Sequence, residues 1–240
     1  MTLQEIFDQL TYGELSQLSI GGGEAGAITP ANYGKIVAHV NLGLTALYKR
    51  FPLKENQVTI GLSKGVLVYS LDSNGDVNFV KGGEDGEDFS DDILKIERVV
   101  TSLDADLPLN DGANPLSCFT PNATVLRVPA LIVDKSPTLA DEYKTDTLKI
   151  VYRANHPRII KTTVFNPNSV VVELPPSHLE PLLLYVASRV HTPMGVGQFE
   201  GQMGNNYYAK YEASCQAIET SNLKVDQGSQ SNRLRSNGWV

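Results

Sequence analysis

The spacing of apolar residues changes twice along the chain and divides it into three parts. At the start, Leu3, Ile6, Phe7 and Leu10 recur at helical intervals behind Thr2 and Glu5, a capping box in which each side chain satisfies a free backbone N–H. A second helix is expected with Thr29 as N-cap and Pro30 at its first position, carrying Tyr33, Ile36, Val37, Val40, Leu44, Leu47, Tyr48 and Phe51 on one face. Lys49 and Arg50 fall in its last turn, where the helix dipole favours cations, and Pro52 stops it.

From residue 56 the pattern becomes that of short strands. QVTIGL, ILKIERVVTSL, DLPLN, TVLRVPALIV, TLKIVYRA and VVVEL read as strands, and VLVYSL-DSNGD-VNFV reads as a hairpin turning at Asn74-Gly75. Prolines at 108, 115, 121, 129, 137, 157 and 167 keep these runs short, which suits a small sandwich or barrel with many edges. Helical spacing then returns in PPSHLEPLLLYVASRV, where Ser177 and Glu180 form a second expected capping box. Leu179, Leu182, Leu183, Val186 and Val190 make its buried stripe, and Leu184 and Tyr185 fall outside it, so this helix is apolar on more than one side. A fourth helix is expected from about Gly197 or Gly204 to about Asn222, with Phe199, Met203, Tyr207, Tyr211, Ser214 and Ile218 on one face.

Neither helix pair is long enough to make a good core alone. The expected fold is therefore α+β: a four-helix bundle formed by the N- and C-terminal pairs (1–54 and 175–222), an inserted small antiparallel β domain (55–174) and an extended C-terminal arm (223–240). The extra apolar positions Leu184 and Tyr185, with Tyr207, Tyr208 and Tyr211, mark an expected intersubunit surface, because tyrosine suits contacts that are packed on one side and wet on the other.

Composition narrows the function classes. Of 240 residues, 41% are hydrophobic and 20% charged, as in a globular protein, and no apolar run approaches the ~20 residues of a membrane span. MTLQEIFDQL has acids where a signal peptide has a basic start, so synthesis in a cytoplasm is the expectation. The net charge of −7 and the lack of a basic stripe argue against adhesive binding of nucleic acid. Cys118 and Cys215 have no metal-type spacing and no disulfide framework around them.

Candidate chemistry is thin. Gly21, Gly23 and Gly26 match the dinucleotide fingerprint in letters, but a helix enters the loop where a strand is needed, so a flexible interhelical loop is the better reading. EDGEDFSDD (84–92) holds six carboxylates without the ligand alternation of a calcium loop and reads as a solvated loop; cation binding there is left open. His39, His156, His178 and His191 sit in four unrelated settings, with no HExxH, Cys–His pair or GxSxG elbow. No catalytic residue, cofactor or metal site is assigned, and the expectation is a protein without enzymatic activity.

Three stretches together resemble one family. YGELSQLSIGG with ITPANYGKIVAHVNLGLTALYKRF, TLKIVYRANHPRI with VELPPSHLEPLLLYVASRVHTPMG, and NNYYAKYEASCQAIE before a polar tail are similar to the head-to-tail adaptor (connector) proteins of tailed bacteriophages, of the podovirus tail-tubular-A-like kind. The resemblance follows element order over most of the chain, through structural and not catalytic motifs. It implies a virion protein at the head–tail interface, made in the host bacterial cytoplasm and forming a ring, usually of twelve copies, beneath the portal. It implies the portal protein and a downstream nozzle or tube protein as partners, with double-stranded DNA passing through the channel without specific binding. The tail then becomes a portal-docking arm: Leu223, Val225, Leu234 and Val240 as its apolar positions, Arg233 and Arg235 as carboxylate partners, and Trp239 as an anchor ordered by a neighbouring protein.

Two other readings remain from the residues. A receptor- or glycan-recognising β module on a helical base would need solvent-facing aromatics, for which Tyr69, Phe79, Phe89, Phe119, Tyr143, Tyr152 and Phe165 are the supply. A small hydrolase would use the acidic cluster, with Asp91 or Asp92 essential.

Overall fold

The computed structural model describes residues 1–20, 24–72, 79–82, 89–191 and 198–221, with 79–82 and 198–203 described as backbone only. The fold is mixed α+β with two antiparallel sheets. Helix α1 (Leu3–Tyr12) starts at the expected capping box, where the Glu5 N–H donates to the Thr2 hydroxyl and the Glu5 carboxylate accepts from the Thr2 N–H. Helix α2 (Tyr33–Arg50) begins three residues later than the sequence suggests. The Asn32 carboxamide accepts from the Thr29 N–H and donates to the Ala27 carbonyl, so Thr29 and Pro30 form a turn ahead of the helix and do not cap it.

Strands β1 (Glu55–Gly61), β3 (Phe79–Gly82), β4 (Ile93–Thr101), β5 (Asp106–Leu107) and β8 (Thr147–Ala154) form a five-stranded sheet in the order β3-β1-β8-β4-β5. Strands β2 (Val68–Ser70), β6 (Phe119–Asn122) and β7 (Val125–Arg127) form a three-stranded sheet in the order β2-β7-β6. Strand β8 alternates cleanly, burying Leu148, Ile150, Tyr152 and Ala154. Those residues share one apolar cluster with Val58 and Ile60 of β1 and with Tyr69 and Leu126 of the smaller sheet, so the two sheets face a common core.

Three strand assignments are corrected. The two runs around Asn74-Gly75 do not pair with each other: β2 pairs with β7 and β3 with β1, in different sheets, while the turn itself lies outside the described residues. TVLRVPALIV is a strand only up to Arg127; after Pro129 it becomes the short helix α3 (Ala130–Val133), which puts Ile132 and Val133 into the β core. VVVEL is a strap and not a sheet strand: its one bridge is to the N-terminus, with the Leu3 N–H donating to the Val170 carbonyl and the Val172 N–H to the Met1 carbonyl.

Helices α4 (Leu179–His191) and α5 (Gln198–Thr220) are the last described elements. The second expected capping box is absent. The chain enters α4 through a 3-10 turn, Pro176–His178, and the Ser177 hydroxyl lies 3.0 Å from His178 Nδ1 instead of capping toward Glu180. One apolar core takes Phe7 from α1, Leu44 from α2, Leu182 from α4 and Cys215 from α5. It also takes Ile159, Val172 and Leu174, so the stretch after β8 belongs with the helices rather than with the β region.

Polar contacts bind this strap to α2. Asn41 exchanges two hydrogen bonds with the Ile159 backbone, at 2.9 and 3.0 Å. The Tyr48 hydroxyl donates to the Glu173 carbonyl, and the Glu173 N–H donates to His156 Nε2 at 3.2 Å. That acceptor role requires a neutral Nε2, which leaves the proton on Nδ1, 2.6 Å from the Pro157 carbonyl. Burial holds His156 and His178 below the ordinary value of 6.5, and burial with the nearby Arg189 and Lys35 cations does the same to His39. An unfolded chain therefore takes up protons first as pH falls. The stability these groups contribute is complete above the unfolded value and declines as pH drops through their folded values. Thermal unfolding midpoints are expected to fall between about pH 7.5 and about pH 5, and His156→Gln should flatten part of that slope; a midpoint constant across this window would contradict it.

Candidate functional site

The structure divides the expected intersubunit residues between core and surface. Leu184 and Tyr211, at 7% and 4% exposure, are consumed by the chain's own helical core. This corrects the expectation that Leu184 is left over: α4 packs against both α2 and α5, so more than one of its faces is covered. Tyr185 is half-buried and meets the Tyr211 ring edge-on at 5.2 Å. Tyr207 stacks on His191 at 4.9 Å, and its hydroxyl donates to the Glu14 carbonyl, tying α5 to the turn that follows α1. Tyr208 remains outward at 49% exposure.

Arg50, the last residue of α2, fixes α5 from the other end through Glu212 at 2.6 Å and Glu219 at 2.9 Å. The side of α5 turned away from α4 exposes Asn205, Ala209, Ala213, Gln216, Ala217 and Thr220. Among its exposed described residues Lys210 is the only charge. A long helix standing in water normally displays a strongly charged outer face. This one is smooth and nearly uncharged, a surface that lets another helix approach closely.

Several residues of the candidate chemistry make structural contacts. Residues 21–23 of the glycine loop lie outside the described residues. Gly26 has φ of +79°, and a Cβ there would come within 2.9 Å of the Thr11 carbonyl oxygen, so this glycine serves a tight chain crossing. Asp92 accepts hydrogen bonds from the Tyr152 hydroxyl and the Asn56 carboxamide, which ties it to the β core; residues 83–88 of the acidic loop are outside the description. Cys118 is buried, with its thiol pushed up to about 12, and Cys215 is buried too. Among the described residues, no group of three His, Cys, Asp or Glu is placed to hold a metal ion, and no helix is long and apolar enough to cross a membrane.

Of the aromatics available to a glycan-binding surface, Tyr69 and Tyr152 are buried and Phe89, Tyr143 and Phe165 partly so; Phe119 is the one exposed among the described residues. The arm residues Leu223, Val225, Arg233, Leu234, Arg235, Trp239 and Val240 lie outside the described residues. Sequence reasoning missed a row on the smaller sheet, Val68, Arg127 and Phe119, which the strand register places side by side. No local signal could reveal it, because its members lie up to fifty-odd residues apart in sequence. The chain matches no protein-family model and no curated protein.

Proposed function

We propose that this chain is a structural virion protein, a ring-forming head-to-tail adaptor that joins a portal vertex to a tail. The observation that carries the reading is the outer face of α5, long, nearly uncharged and edged by Tyr208, which suits helix-against-helix packing between copies of the chain. In this reading the terminal helices form a four-helix bundle that builds the ring body, its neighbours being further copies of the same chain in a ring of about twelve, as the family resemblance implies. The β region projects toward the downstream tail protein. The segment from Leu223 onward is the portal-docking arm, with Trp239 as its anchor. The net charge of −7 suits a channel through which DNA slides without sticking. Catalysis plays no part.

Light-scattering mass, measured on the chain alone and mixed with portal rings from the same source, tests this. A portal-dependent rise to a ring-sized complex is expected, lost when residues 223–240 are removed. Ala213→Glu, which puts a carboxylate on the exposed side of α5 without entering the core, should abolish ring formation and leave the unfolding midpoint within a few degrees of the parent. Rings that form unaltered with this substitution would remove α5 from the interface. Failure of the parent chain to associate with intact portal rings would reject the adaptor reading.

A further inference from the structure

A sheet with one face on a core is expected to show polar residues on the other. The smaller sheet does so only in part. Its inner face carries Tyr69 and Leu126, in one core with Cys118 just ahead of β6. On its outer face, the register sets Val68 opposite Arg127 and Arg127 opposite Phe119, so the three side chains stand in one row across β2, β7 and β6. Val68 is 56% exposed and Phe119 38%, with Val66 exposed two positions before Val68. The row borders a cavity of ≈ 370 Å³ whose lining includes Leu67, Pro115, Phe119, Arg127, Pro129 and Ala130. Arg127 is the only charged residue in that lining, and among the described residues its guanidinium has no ion pair or hydrogen bond.

A guanidinium flanked by apolar surface is best satisfied by a planar anion that brings its own apolar neighbours. A carboxylate meets the fork with two parallel hydrogen bonds. Nucleic-acid phosphate fits poorly, because affinity for a phosphate backbone is built from several cations and the described lining of this groove holds one. We infer that the outer face of the smaller sheet is a docking site for an extended protein segment carrying a carboxylate between apolar residues. The carboxylate pairs with Arg127, and its apolar neighbours cover Val68 and Phe119. This assigns a partner chemistry to the β region and does not depend on self-assembly through α5, so either can fail without the other.

The test uses the full chain and a fluorescein-labelled Ser-Thr-Val-X-Val-Thr-Ser peptide with X as Glu or Lys, read by fluorescence polarisation. The parent should bind the Glu peptide about fivefold tighter than the Lys peptide, the upper end of the range for an exposed ion pair. Arg127→Glu, at an exposed position, should reverse that preference, and Val68→Ser, which removes apolar cover without adding charge, should weaken both peptides. Equal binding of the two peptides by the parent, or a preference that survives Arg127→Glu, would overturn the assignment. So would no binding of the Glu peptide up to about 1 mM, which corresponds to only ~4 kcal/mol of affinity. Tighter binding of a single-stranded oligonucleotide than of the Glu peptide would reassign the groove to phosphate.

Discussion

Replacing Phe51 by alanine is expected to cost about 3–5 kcal/mol of unfolding free energy, the range for deleting a fully buried aromatic ring. Phe51 follows the last turn of α2, is 1% exposed, and meets the His178 ring edge-on at 4.7 Å. Its position makes it a shared support: one side belongs to the helical core, and the chain leaves it directly toward β1. The cavity left by truncation would face His178, itself fully buried with Nε2 unpartnered, so an apolar wall would be lost from a group that already lacks a hydrogen bond. Urea titration followed by circular dichroism measures the effect. Phe51→Leu keeps most of the volume and should cost less than half as much. Equal losses for the two would mean that ring packing is not what stabilises this junction. A loss of this size is a large share of the ~5–15 kcal/mol by which a domain is usually stable.

Gly43→Leu is expected to be the second most damaging change, at about 1–3 kcal/mol from overpacking, with most of the effect on the contact between α2 and α4. A Cβ placed on Gly43 would come within 2.7 Å of Leu182 Cδ1 and 3.1 Å of Tyr185 Cδ1. Both contacts are to side chains and not to backbone, so a methyl group can be admitted by small rotations. Gly43→Ala also gains about 1 kcal/mol of helix propensity and should come out near neutral. A leucine cannot be admitted that way, because Leu182 is fully buried and the Tyr185 ring is held against Tyr211. Displacing Tyr185 would push on Tyr211 and through it on α5. Thermal unfolding of both variants checks the ordering. If Gly43→Leu is as stable as the parent, the close approach of the two helices is not a constraint on this position.

The sequence by itself determined the elements whose signals are local. The capping box at Thr2 and Glu5, the apolar stripe of α2 and the strand run TLKIVYRA of β8 are each signalled within a few residues, and each reappears in the structure. The α+β class followed from the order of those signals. What the tertiary structure decided is which element meets which. The runs on either side of Asn74-Gly75 have the composition of a hairpin, yet each pairs elsewhere, because strand partners are chosen by what their buried faces meet across the core. VVVEL has strong strand propensity, but its position beside the N-terminus makes it a strap against the helices. The same limit applies to the surfaces. Leu184 and Tyr208 were legible as surplus apolar residues on their helices, and only packing showed that the first is absorbed into the core and the second left outside. The row of Val68, Arg127 and Phe119 was invisible, since three residues from separate strands become neighbours only when register is set. Local periodicity fixes which face of an element is apolar; the burial available in the folded chain fixes what that face touches.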